Sequence, residues 1–171
     1  HYNNLHSVVS AATTMHAPQG AFELHRWPRS KSDPYQAWDG ADLHLLRHLS
    51  ETESPDGPVL ILNDGWGALS VALAHRKPTV VSDSWLSHSG IGANCALNEV
   101  EAPRLVDCHA DWGPTPALVL LKLPKTNALL SWQIARLRAL LSTDTRVVAA
   151  GLTRHVHTST LKILEDLGPV R

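Results

Sequence analysis

The stretch Pro58-Val59-Leu60-Ile61-Leu62-Asn63-Asp64-Gly65-Trp66-Gly67-Ala68-Leu69 decides the fold of this 171-residue chain. It opens as a continuous apolar run, the mark of a strand buried on both faces of a parallel sheet. It then passes through a glycine turn into a helix candidate over 68–75. The same unit recurs on either side. Upstream, Asp33-Pro34 reads as an N-cap and first helical residue of a helix over 34–49, with Ala37, Trp38, Ala41, Leu45 and Leu49 on one face. Downstream, strands are expected over 79–82, 104–107, 117–122 and 145–150, and helices over 86–98, 128–141 and 158–167. Strands alternating with helices through short loops predict an α/β doubly wound, mostly parallel sheet with helices on both faces.

Composition agrees with one folded domain. Hydrophobic residues make up 43% and charged ones 18%, which argues against disorder. No apolar run reaches the roughly 20 residues of a membrane span, so no membrane partner is expected. Two cysteines, Cys95 and Cys108, without CxxC spacing predict reduced thiols and a cytoplasmic setting. Residues 1–19 are expected to be a leader or flexible tail, with the domain over 20–171. The net charge of −1 is a cancellation. Residues 1–121 carry 7 basic against 13 acidic residues, and residues 122–171 carry 8 against 3. A basic rear is a prior for a polyanion contact.

In such a sheet ligands bind beyond the carboxyl ends of the strands. Gly65 and Gly67 would let a nucleotide approach the backbone. Asp83, 20 residues after Asn63, stands where an acid can hold a ribose. This is the layout of a dinucleotide or S-adenosylmethionine (SAM) site, and it departs from the pattern. Leu69 replaces a third glycine and is expected to intrude on the cofactor, and Asn63 replaces the acid before the first glycine. Gly65, Gly67 and Asp83 therefore read as a vestigial cofactor site. In enzymes that methylate base amines the fourth strand ends in Asn/Asp-Pro-Pro-aromatic, whose oxygens accept the amine. Here it ends in Lys122-Leu123-Pro124-Lys125, without an acceptor side chain and with two cations suited to phosphate. Lys122, Lys125, Arg154 and His155 follow strand ends and are the candidate RNA contacts, with Arg136, Arg138, Arg146 and Lys162 as weaker ones. Trp66 and Trp112 are the candidates for base stacking. The His44/His48 and His155/His157 pairs supply too few ligands for zinc, so no metal and no catalytic residue is assigned.

Several blocks together resemble a known family: Pro58 to Asp64 with Gly67-Ala68-Leu69-Ser70, Gln36-Ala37-Trp38 with Ala41-Asp42, Lys125-Thr126, Ser142 to Arg146, and His157 to Leu161. Over about residues 20–169 the chain resembles the amino-terminal domain of the bacterial ribosomal RNA large-subunit methyltransferase G family, similar to the small-subunit methyltransferase C family. The resemblance implies a Rossmann-like, degenerate SAM-methyltransferase fold without its last strands. It also implies a 23S rRNA (guanine-N2)-methyltransferase as the whole protein, with SAM used by a separate carboxyl-terminal catalytic domain and not by this one. Three readings stay open: an RNA-recognition module, a SAM-binding domain active in its own right, and a structural or dimerising domain that pairs through an open sheet edge.

Overall fold

The structure, a computed structural model, describes residues 11–169. A hairpin of β1 (Thr14–Ala17) and β2 (Gly20–Glu23) precedes helix α1 (Gly40–Glu51). The chain then runs β3 (Val59–Leu62), α2 (Ala68–Ala72), β4 (Thr79–Val81), α3 (Trp85–Leu97), β5 (Arg104–Val106), β6 (Leu118–Lys122), α4 (Asn127–Leu140), β7 (Arg146–Ala150) and α5 (Thr158–Leu164). The five-stranded sheet has the order β5-β4-β3-β6-β7, and its neighbouring strands all pair in parallel. The doubly wound reading holds.

Alternation along the strands builds two cores, because successive side chains point to opposite faces. Val59, Ile61, Leu118 and Leu120 pack with Leu45, Leu46, Leu69 and Ile91 on one side. Leu60, Leu62, Val119 and Leu121 pack with Leu130, Ile134 and Leu137 on the other. The centre of the sheet is thus covered on both faces, which is why β3 and β6 read as unbroken apolar runs.

The hairpin overturns the expected leader from Thr14 onward. Met15 and Leu24 are fully buried against the core that holds α1 and α3. Residues 1–10 lie outside the described residues. Two asparagines one helical turn apart, Asn94 on α3 and Asn98 at its C-cap, fasten this segment. Asn98 donates to Glu23 O at 2.7 Å and accepts from Glu23 N at 3.0 Å. Buried Asn94 accepts from His25 N and Trp27 Nε1 and donates to His25 O and Trp66 O.

The first helix also starts later than expected. Asp39, not Asp33, is its N-cap, accepting from Ala41 N and Asp42 N. Asp42 returns the bond to Asp39 N, completing a capping box. Asp33 instead accepts from Tyr35 N in a turn. Residues 25–39 therefore form an irregular strap. It runs from Asn94 on α3 to the carboxyl end of β6, where Asp39 meets Lys122 at 3.3 Å.

Candidate functional site at the carboxyl ends of the strands

The crevice beyond β3 is built from residues that hold one another. Asn63 continues the parallel pairing through Asn63 N to Val81 O and takes a left-handed φ of 68°. Its amide donates to Lys122 O at 2.8 Å and to Gln133 Oε1 at 2.9 Å, and accepts from Gln133 Nε2 at 2.8 Å. Gln133, fully buried on α4, thus closes a two-way amide pair over the ends of β3 and β6. Buried Asp64 turns back on the start of α2, accepting from Ser70 N at 2.8 Å and Ser70 Oγ at 2.6 Å. The N-terminal end of α2, a natural anion site, already carries a carboxylate.

The two glycines differ in purpose. Gly67 caps α2 with a φ of 98°, and a Cβ there would meet Ile91 Cα at 3.3 Å. Glycine at this position is demanded by backbone and packing. A Cβ on Gly65 would meet nothing within 4 Å. Leu69 does not intrude on the crevice, because its side chain is fully buried in the core beside Ile91. Asp83 accepts from Cys108 N at 2.7 Å and so ties the end of β4 to that of β5. That hydrogen bond holds its carboxyl below the usual carboxylate range, against the opposing effect of burial.

The end of β6 carries no acceptor turn. Leu123 lies against Gly151, where a Cβ would come within 2.8 Å of it. Lys122 is not a rim cation. Its side chain is 13% exposed and its ammonium sits 2.9 Å from Asp42 and 3.3 Å from Asp39. Burial works to lower its pKa, and the two carboxylates outweigh that and raise it. Burial pushes Asp42 up to about 7, opposed by Lys122.

A family described as RLMG N-terminal domain matches residues 12–171. The chain belongs to the RLMG N-terminal domain family. It is 47% identical over 152 residues to the ribosomal RNA large subunit methyltransferase G of Aeromonas salmonicida, covering 86% of this chain and 40% of that protein. The Photobacterium profundum protein of the same name is 42% identical, covering 92% of this chain and 42% of the relative. The chain thus spans about two fifths of the length of these relatives. A T. thermophilus 16S rRNA N2 methyltransferase solved with AdoMet and guanosine is similar in fold, with a TM-score of 0.60 at 22% identity over 77% of this chain and 39% of that one. A candidate SAM-dependent methyltransferase from Streptococcus mutans gives a TM-score of 0.66 at 14% identity, over 95% of this chain and 48% of that one. The fold is that of SAM-dependent methyltransferases.

Of the expected RNA contacts, Lys125 and Arg154 are exposed and make no hydrogen bond or ion pair among the described residues. Backbone at His155 belongs to a 3-10 turn, Thr153–His155; its side chain lies outside the described residues. Arg136 is a structural pin, donating to Cys108 O and Ala110 O with its guanidinium over Trp112 and Trp132. Arg146 donates to Glu53 O. Trp112 is 3% exposed and cannot stack on a base. Trp66 lies over Gly90, where a Cβ would fall 2.4 Å from the ring. Among the described residues the most exposed aromatics are Trp85, at 79%, and Tyr35, at 67%, with Trp132 at 36%. Neither was legible, because an exposed and a buried aromatic look alike in a chain unless periodicity separates them. The signal that was available is the interleaving of Arg26-Trp27-Pro28-Arg29-Ser30-Lys31, hidden inside the acidic half by averaging.

Proposed function

We propose that this domain is the RNA-recognition module, without catalysis of its own, of a SAM-dependent 23S rRNA (guanine-N2)-methyltransferase. The observation that carries the reading is the filled crevice. Asn63 is paired with Gln133, Asp64 with Ser70 and Lys122 with Asp42 where a cofactor would otherwise lie. SAM carries a carboxylate, and Asp64 already occupies the start of α2 with the same charge. In this reading SAM binds a carboxyl-terminal catalytic domain of the same cytoplasmic protein. Lys125 and Arg154 here meet RNA phosphates and set its orientation. The edge strand β7 is the surface offered to that companion domain or to a second copy.

Titration calorimetry of this chain with SAM tests it. No saturable heat is expected at ligand concentrations up to the millimolar range; micromolar binding would overturn the non-catalytic assignment. RNA affinity is tested by Lys125→Glu with Arg154→Glu, which should weaken binding and flatten its dependence on salt.

A further inference from the structure

A cavity of about 480 Å³ that shares no lining residue with the crevice lies between the strap and residues 11–13. Its walls include Arg26, Arg29, Lys31 and Tyr35. The volume falls in the range of small-ligand sites, and the charge is one-sided. Among the described residues Asp33 is the only carboxylate in the lining, and it is engaged by Arg26 at 3.5 Å and by Tyr35 N at 3.0 Å. Arg29 and Lys31 are exposed with no ion-pair partner among the described residues.

Two of the three cations are held in place. Arg26 lies over the Tyr35 ring at 5.1 Å and Arg29 over the Trp27 ring at 5.8 Å. Trp27 is itself fixed by its indole N–H on Asn94. Guanidinium stacking on an anchored ring lowers the entropy lost when a ligand binds. Cations call for an anion, and an exposed aromatic beside them calls for a flat apolar group. A nucleotide carries both, and only an unpaired base can leave its stack to reach the ring.

We propose that this cleft holds one unpaired nucleotide of single-stranded RNA, its phosphate on Arg29 and Lys31 and its base on Tyr35. The inference rests on the RNA-recognition reading and assigns it a second contact, separate from Lys125 and Arg154.

The test is fluorescence anisotropy of this chain with a labelled single-stranded oligouridylate and an abasic oligonucleotide of the same length. Arg29→Ala with Lys31→Ala should lower the slope of log affinity against log salt by about 1.4. Tyr35→Ala should weaken oligouridylate binding about five- to a hundredfold, leave the abasic oligonucleotide unaffected, and be rescued by Tyr35→Phe. These positions are exposed, so the variants should melt with the wild type. If wild type binds and Lys125→Ala with Arg154→Ala weakens it while the cleft variants do nothing, the cleft assignment is wrong and the rim reading survives. If wild type binds neither oligonucleotide at low salt, the RNA reading itself fails.

Discussion

Lys122 shows how a single side chain can change role when the fold is known. In the sequence it is one of a pair of cations where an amine-binding turn would stand. In the structure its charge is paired inside, with Asp42 and Asp39 contributed from about 80 residues away. No local signal carries such a pairing, because Asp42 sits in a helix pattern and Lys122 in a strand pattern, each ordinary alone. Removing one partner of a buried pair leaves an uncompensated charge. Lys122→Ala should therefore cost about 3–5 kcal/mol at pH 8 by urea denaturation. The sign of the pH dependence follows from Asp42, whose folded pKa lies above its unfolded value. Between those two values the folded state binds more protons, so stability falls as pH rises through that window. Without Lys122 the carboxyl is driven higher still, and the variant should be less destabilised at pH 5 than at pH 8. An equal loss at both pH values would show that Asp42 does not carry the effect.

At the scale of elements, the central strands were legible because burial on both faces leaves apolar runs that admit no other reading. The hairpin was not. Its strands have four residues each, and its polar sequence matches a tail as well as a strand. Met15, fully buried in the core that holds α1, separates the two, with Ala17 and Phe22 partly buried against the same core. Met15→Ala should cost about 2–5 kcal/mol in a chemical melt, and a change within error would return these residues to the status of a tail. The start of α1 was misplaced for a related reason. Asp33-Pro34 and Asp39-Gly40 both look like helix starts, and the capping box formed with Asp42 decides for the second. The helix–turn contact at Gly90 gives a sharper test. Alanine gains helix propensity over glycine by up to about 1 kcal/mol, but its Cβ would stand 2.4 Å from Trp66. Overpacking should win, with Gly90→Ala costing about 1–3 kcal/mol and Trp66→Leu recovering part of it in the double variant.

For the whole molecule, net charge is the least informative of the numbers read from the chain. The sum of −1 hides the basic rear, and the segment balance in turn hides Arg26, Arg29 and Lys31 within an acidic half. Folding then sorts these charges again. Asp83, Asp107 and Asp111 lie at the ends of β4 and β5, whereas the strap carries three cations within six residues. Asn94 makes this arrangement depend on one buried amide. Asn94→Leu should free the strap from α3 and weaken RNA binding together with stability; loss of stability alone, with affinity kept in the folded fraction, would separate the strap from recognition.

The two-way amide pair between Asn63 and Gln133 has a further consequence for sequence change. Each amide donates to and accepts from the other, so replacing Asn63 with an apolar residue strips both bonds from fully buried Gln133, at about 1–3 kcal/mol, and replacing Gln133 leaves Asn63 with Lys122 O alone. Changing both at once avoids that penalty. Asp64 with Ser70, and Lys122 with Asp42, impose the same condition beside it. Single-step paths from this crevice to an open one therefore pass through a valley of less stable intermediates, and the closed form works as a ratchet.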